Sequence, residues 1–206
     1  MKVRPSLYLC TQSREDLSWF LTQCIKGGVD IVQLREKHLE DKKLLDQAKL
    51  CAKICKEFGV PFIVNDRPDI ALLSGADGVH LGQDDLSPSL ARQILGPNAM
   101  IGLSTHAREE LDSSLDQPVD YISVGPIFET PTKPGRKGTG IGYLDYASSR
   151  ANKPFYVTGG VTPQILPELY AHGARKFVVV RYLTTSVNPY DFARKLRDTL
   201  DGLSQC

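Results

Sequence analysis

Short apolar runs rich in β-branched residues alternate with helix-compatible segments eight times along the 206 residues of this chain. The runs begin near residues 6, 29, 60, 77, 100, 119, 154 and 176, and the clearest helices are predicted at 16–26, 40–58 and 190–200. The runs are mostly apolar on both faces, which is typical of parallel strands covered on both sides. This alternation predicts an α/β fold, a single-domain (β/α)8 or TIM barrel over residues 1–206.

Polar clusters follow most of these strands. An open, doubly wound sheet is the main alternative, but such a sheet usually gathers its ligand at one switch point and one glycine-rich turn. A barrel assembles its active site from the loops at the carboxyl ends of all eight strands. The distribution of polar residues therefore favours the barrel and predicts a site on one rim.

Charge and cysteine content exclude several classes of function. The chain has 25 basic and 24 acidic residues and a net charge of +1, so no overall field favours nucleic acid or a membrane surface. No stretch approaches the length of a membrane span, and no signal peptide is recognisable. Five cysteines in such a chain indicate reduced thiols and a cytoplasmic location. Any anionic ligand must be recognised locally.

The segment Gln33-Leu34-Arg35-Glu36-Lys37 ends the second predicted strand. Alternation along a strand directs Gln33, Arg35 and Lys37 to one side. A guanidinium can hold phosphate oxygens in bidentate fashion and an ammonium adds a point charge, so this group suits a pyrophosphate. The alternative is a solvated strand end balanced by Glu36.

Carboxylates follow the next two strands, at Asp66 and at Asp84-Asp85. Magnesium is typically held by one or two carboxylates together with substrate phosphates and water, so these residues predict a Mg²⁺ site beside the cationic cluster. The alternative is that Asp66 and Asp84 cap the helices that follow.

Two later segments suit a second anion. Thr130-Pro131-Thr132-Lys133 offers two hydroxyls and an ammonium in a long loop. Gly159-Gly160 after strand seven and Val180-Arg181 at strand eight occupy the region where barrels often bind phosphate on backbone amides. Turn glycines before a helix are the simpler explanation of Gly159 and Gly160.

Taken together, the motifs resemble the thiamine-phosphate synthase family, in family order and over nearly the full length. The resemblance rests on Gln33-Leu34-Arg35-Glu36-Lys37, Val64-Asn65-Asp66, Gly82-Gln83-Asp84-Asp85, Gly125-Pro126-Ile127-Phe128, Thr130-Pro131-Thr132-Lys133 and Gly159-Gly160-Val161. It implies a TIM barrel that joins a hydroxymethylpyrimidine diphosphate to a thiazole phosphate, with release of pyrophosphate.

The resemblance also implies a role for individual residues. The pyrimidine diphosphate is expected at Gln33, Arg35, Lys37, Asn65, Ser104 and Lys133, of which Arg35, Lys37, Ser104 and Lys133 are the catalytic candidates, with Mg²⁺ at Asp66 and Asp85. The thiazole phosphate is expected at Thr130, Thr132, Gly160, Val180 and Arg181, and Leu34, Glu36 and Pro131 are counted with the substrate-binding residues of their motifs.

Two positions depart from the family pattern. Glu129 stands where proline is common, and Arg181 stands where serine is common. The first change can alter the loop without removing the threonine contacts. The second is tolerable if only the backbone amide of Arg181 is used, and its side chain can even add a phosphate contact.

The reaction that the resemblance implies is dissociative. Magnesium and nearby cations neutralise charge on the departing pyrophosphate, and the thiazole nitrogen captures a carbocation stabilised by the aminopyrimidine. Related thiazole tautomerases share the barrel and would use a histidine at the position of His106 as a base. That tautomerase activity and a non-catalytic paralogue that binds thiazole phosphate stay open as alternative functions. A homo-oligomer is a further possibility that the sequence leaves open.

Overall fold

Eight parallel strands close into a barrel in chain order, with β1 paired to both β2 and β8. The computed structural model describes residues 6–130 and 137–205. The strands are β1 Ser6–Thr11, β2 Ile31–Leu34, β3 Phe62–Asn65, β4 Gly78–Leu81, β5 Met100–Thr105, β6 Tyr121–Val124, β7 Phe155–Val157 and β8 Lys176–Val179. The predicted TIM barrel is therefore confirmed, and every strand begins within two residues of its predicted start.

Helices cover the outside of the barrel. In the described part of the chain they are α1 Leu17–Lys26, α2 Asp41–Phe58, α3 Pro68–Ser74, α4 Pro88–Leu95, α5 Arg108–Leu115, α6 Ile141–Arg150, α7 Leu166–Ala171, α8 Arg181–Thr184 and α9 Pro189–Gln205. The three predicted helices are present, and the last continues five residues beyond its predicted end at 200. None of these helices is both long and apolar enough to cross a membrane.

The core has two layers that follow from the strand period of two. Alternate strand residues point outward and pack with the buried faces of the helices, as Leu34 and Val64 do. A smaller cluster fills the barrel interior, where Tyr8, Tyr121 and Tyr156 are at most 4% exposed. The site therefore rests on a rigid aromatic floor.

An aspartate precedes three even-numbered strands at the amino-terminal end of the barrel. Asp30, Asp77 and Asp120 accept hydrogen bonds from the backbone N–H groups of Leu7, Phe62 and Ile101 at 2.8, 2.8 and 2.7 Å. Arg197 of α9, which is only 2% exposed, also pairs with Asp30. These bonds hold neighbouring strands in register and leave the opposite rim for ligands.

Candidate functional site

Two adjoining cavities open at the carboxyl ends of the strands. The interior cavity, about 410 Å³, lies over the aromatic floor, and the rim cavity, about 450 Å³, is more polar. Both are lined by Arg35, Asn65 and Ser104, so one ligand can extend from one cavity into the other. This continuity is the main geometric property of the site.

The predicted side chains of the second-strand cluster line the cavities, although only Gln33 and Leu34 lie within β2 and the other three residues of the cluster follow its end. Gln33 is buried in the barrel interior and lines the interior cavity, Arg35 lines both cavities, and Lys37 lines the rim cavity. Leu34 is fully buried in the outer core, and the Glu36 carboxylate accepts a hydrogen bond from the Ser13 N–H. Neither Leu34 nor Glu36 is part of the lining of these two cavities.

The predicted metal carboxylates lie together in the rim cavity. The carboxyl groups of Asp66 and Asp85 are close enough to shift each other's pKa, and Lys37 Nζ lies 2.8 Å from Asp66 Oδ2. The Gly82 N–H donates to Asp85 Oδ2 at 2.7 Å. Asp84 is exposed and also lines this cavity, while Ser87, rather than Asp84, caps α4 through the Leu90 N–H.

The pKa values of the two carboxyl groups are shifted in opposite directions. Burial raises the pKa of Asp85, and the hydrogen bond with Asp66 raises it further. Burial also raises the pKa of Asp66, but the hydrogen bonds with Asp85 and Lys37 outweigh burial and lower that pKa below its usual range. Two close carboxylates beside a lysine are a suitable arrangement for a bound cation.

The donor set fits magnesium better than a transition metal. Within residues 6–130 and 137–205, no group of three or more His, Cys, Asp or Glu could hold a metal ion. Magnesium needs only one or two protein carboxylates when substrate phosphates and waters complete its octahedron. Asp66 and Asp85 therefore fit a Mg²⁺ ion that is shared with a phosphorylated ligand.

The backbone at Asp66 is unusual. Its φ of 63° is in the left-handed region, where a residue other than glycine is uncommon. The Asp66 N–H donates to the His80 carbonyl oxygen at 2.8 Å, and the Arg67 N–H donates to the Asn65 carbonyl oxygen at 2.8 Å. These bonds maintain a tight turn that aspartate tolerates better than most residues.

One buried polar group in the site lacks a partner. Asn65 is 6% exposed, and its Nδ2 has no hydrogen-bond partner in the described part of the chain. A buried amide donor without a partner costs about 1–3 kcal/mol, so this donor is suited to a ligand oxygen. Asn65 lines the interior cavity, and it also lines the rim cavity that contains the carboxylate pair.

The predicted second anion site lies at the far side of the interior cavity. Thr130, Gly160, Val180 and Arg181 all line it, as does Glu129. Gly159 has a φ of +96°, and a Cβ there would lie 2.6 Å from Pro126 Cβ, so glycine is required where these loops pack together. Pro131, Thr132 and Lys133 lie outside the described residues.

Sequence reasoning missed several residues of the interior cavity. The cavity is lined also by Tyr8, Cys10, His80, Tyr121 and Ser123. The tyrosines have the signature of ordinary core residues, because alternation along a strand does not show which apolar face points into the barrel. Their hydroxyl groups make them polar components of the site.

Comparison with known proteins agrees with this geometry. The thiamine monophosphate synthase family model matches residues 7–183. A thiamine-phosphate synthase from Mycobacterium sp. (strain KMS) is 43% identical over 208 residues, covering 95% of this chain and 92% of that protein. The corresponding protein from Thermus thermophilus is 44% identical over 183 residues, covering 88% of each chain.

A solved structure gives the same result. Thiamine phosphate pyrophosphorylase from Pyrococcus furiosus superposes with a TM-score of 0.87 at 25% identity, covering 96% of each chain. A 3-hexulose-6-phosphate synthase, with a TM-score of 0.70 and 18% identity, shares the fold alone. On the family match and the relatives together, this chain belongs to the thiamine monophosphate synthase family.

Proposed function

We propose that the chain condenses 4-amino-2-methyl-5-(diphosphooxymethyl)pyrimidine with thiazole phosphate to form thiamine phosphate and pyrophosphate. The observation that carries this proposal is the group of Lys37, Asp66 and Asp85 in the rim cavity, beside the unpartnered amide of Asn65. Cations, paired carboxylates and a buried amide donor are together suited to a magnesium diphosphate. Family membership supports the assignment.

The two cavities match the two parts of the pyrimidine diphosphate, which differ in charge. The diphosphate is assigned to the rim cavity, with Arg35 and Lys37 on its oxygens and Asn65 donating from below. The pyrimidine ring is assigned to the interior cavity beside Gln33 and Ser104. One substrate can occupy both cavities, because Arg35, Asn65 and Ser104 line both of them.

The thiazole phosphate is assigned to the opposite loops. Thr130, the backbone of Gly160 and the Val180-Arg181 segment line one side of the interior cavity. Thr132 and Lys133 belong to the same proposal, Thr132 as a ligand of the thiazole phosphate and Lys133 as a ligand of the diphosphate. The acceptor nitrogen would then approach the pyrimidine methylene carbon from the side opposite the leaving group.

The chain's residues act on the leaving group by charge and position. Arg35 and Lys37 bind diphosphate oxygens on which negative charge increases as the C–O bond breaks, so they stabilise the transition state more than the substrate. Asp66 and Asp85 would hold Mg²⁺, which supplies additional positive charge on those oxygens when bound. Ser104 and Gln33 orient the pyrimidine ring whose electrons stabilise the developing cation.

Product analysis tests the proposal. Purified protein receives both substrates with Mg²⁺, and the mixture is separated by chromatography; thiamine phosphate and pyrophosphate are expected in equal amounts. Each substrate alone serves as the control. Absence of thiamine phosphate would refute the proposal.

The same experiment distinguishes the alternatives. His106 lines the rim cavity, and its Nδ1 is bonded to the Gly125 carbonyl oxygen, a geometry that also suits a proton-transfer base. Interconversion of thiazole tautomers without condensation would establish the tautomerase activity, and binding without any turnover would indicate a non-catalytic paralogue. A cytoplasmic location and a homo-oligomer stay predictions.

A further inference from the structure

A chain of buried hydrogen bonds crosses the barrel interior beneath the proposed pyrimidine position. Gln33 Nε2 lies 2.7 Å from Tyr8 Oη, which lies 3.1 Å from Tyr121 Oη. Tyr121 Oη lies 3.2 Å from His80 Nδ1, and His80 Nε2 lies 2.9 Å from Ser104 Oγ. All five side chains are at most 8% exposed. The chain thus joins two residues assigned to the same ring, Gln33 and Ser104.

The order of donors in this chain follows from its first bond. The amide nitrogen of Gln33 can only donate, so the Tyr8 oxygen accepts, and Gln33 Oε1 is occupied by the Cys10 thiol at 3.3 Å. Tyr8 can then donate its own hydrogen to Tyr121, and Tyr121 can donate to His80 Nδ1. Burial raises the pKa of both phenols, so both remain protonated donors.

We assign the tautomer of His80 from this order of donors. Since Nδ1 accepts, the ring proton is on Nε2 and is donated to Ser104 Oγ. The Ser123 hydroxyl also donates to Ser104 Oγ, at 3.4 Å. The Ser104 oxygen therefore accepts two hydrogen bonds, and its own hydrogen remains available for an acceptor atom of the ligand.

Gly102 on β5 leaves room for the link between Tyr121 and His80. A Cβ at this position would lie 2.2 Å from Tyr121 Cζ and 2.5 Å from His80 Nδ1. The two rings stack with centroids 5.5 Å apart and planes 25° from parallel. A residue with a side chain at 102 would force the hydrogen-bonded pair apart.

We infer that Tyr8, Tyr121 and His80 are positioning residues, which orient Gln33 and the Ser104 hydroxyl as a matched pair of polar groups for the pyrimidine ring. The inference rests on the proposed function. Their role is indirect, because they hold the Gln33 amide in one orientation and leave the Ser104 hydroxyl as a donor. A ring with an acceptor atom facing Ser104 is selected, and a ring with a donor there is rejected.

The Tyr121→Phe variant removes the hydroxyl that links Tyr8 to His80 but keeps the aromatic ring. Tyr156→Phe is its matched control. The Tyr156 ring packs against those of Tyr121 and Tyr8 at 5.1 and 5.2 Å, but its hydroxyl bonds to Ser6. We expect Tyr121→Phe to lower kcat/KM for the pyrimidine diphosphate about 10-fold, the value of one well-formed hydrogen bond. The KM for thiazole phosphate and the activity of Tyr156→Phe should change less than about two-fold.

A double-mutant cycle separates positioning from simple packing. In a Ser104→Ala background, Tyr121→Phe should cost less than about two-fold, because the Ser104 hydroxyl is absent and Gln33 still donates to Tyr8 in both variants. An equal cost in both backgrounds, or an equal cost from Tyr156→Phe, would overturn the inference. Thermal unfolding of each variant establishes that the comparison is made on folded protein.

A nitrogen-15 NMR measurement of His80 tests the series of buried hydrogen bonds without an activity assay. In the ligand-free protein at neutral pH we expect a neutral ring protonated on Nε2, and a changed tautomer ratio in Tyr121→Phe; His80→Asn assigns the signals. A ring protonated on Nδ1, or on both nitrogens, would overturn the inference even in an active enzyme. An inactive wild-type chain with the expected tautomer would instead refute the proposed function, and the positioning role with it.

Discussion

Replacing Lys37 with alanine should separate catalysis from stability. Lys37 Nζ lies 2.8 Å from Asp66 Oδ2, and the two side chains are 46% and 20% exposed. A Coulomb energy of about 6 kcal/mol follows at an effective dielectric near 20. Because the lysine is half exposed, solvent screening and side-chain entropy reduce the net contribution of such a pair to about 0–1 kcal/mol.

The effect on turnover should be much larger. Removing one group that stabilises transition-state charge typically costs about 100- to 1000-fold in kcat, or roughly 3–4 kcal/mol. The stability loss corresponds to a fall in Tm of no more than about 4 °C for a chain of this size. Lys37→Ala should therefore fold normally and turn over very slowly.

The assay measures pyrophosphate release at saturating substrates, with thermal unfolding of the same samples. Lys43→Ala is the matched control, because Lys43 lies on α2, is 68% exposed and pairs with Glu40 at 3.4 Å. The control should retain both turnover and Tm. Unchanged turnover in Lys37→Ala would refute the argument, as would a loss of stability large enough to explain the inactivity.

Three further predictions concern a buried ion pair, the buried cysteines and a loop glycine. Arg197→Met removes a 2% exposed guanidinium that pairs with Asp30 and should cost about 3–5 kcal/mol in the free energy of unfolding, measured in urea; a smaller loss would show that the ion pair is dispensable. Burial raises the pKa of Cys24 and of Cys55 to about 12, so neither should react with a thiol reagent at pH 8, and rapid labelling of folded protein would contradict this. Gly159→Ala introduces a Cβ 2.6 Å from Pro126 Cβ at a φ of +96° and should raise the KM for thiazole phosphate, whereas an unchanged KM would remove Gly159 from that site.

Hydrophobic runs and polar strand ends were sufficient to predict the barrel and the position of its rim. Gln33, Arg35 and Lys37 all line the two cavities as expected, but the strand period of two applies only to Gln33, because β2 ends at Leu34. Asp66 and Asp85 could also be expected to meet, because they follow neighbouring parallel strands. Local sequence determines these features, so they can be predicted without a structure.

The interior hydrogen bonds were not predictable in the same way. The bond between Tyr8 and Tyr121 joins residues 113 positions apart, and it forms because barrel closure brings the inner faces of β1 and β6 together. From the sequence, each tyrosine resembles an apolar core residue. Gly102 likewise gives no local turn signal, because the space it preserves is occupied by side chains of the two neighbouring strands.

The central claim is that a cation held by Asp66 and Asp85 works with Lys37 on a leaving diphosphate. The most direct measurement is the initial rate of pyrophosphate release from both substrates as Mg²⁺ is titrated, in wild-type protein and in Asp85→Asn. The wild-type rate should rise from near zero in chelator to a plateau, and Asp85→Asn should need much more Mg²⁺ to reach half its maximum. A wild-type rate unaffected by chelator, or identical titrations of the two proteins, would contradict the claim.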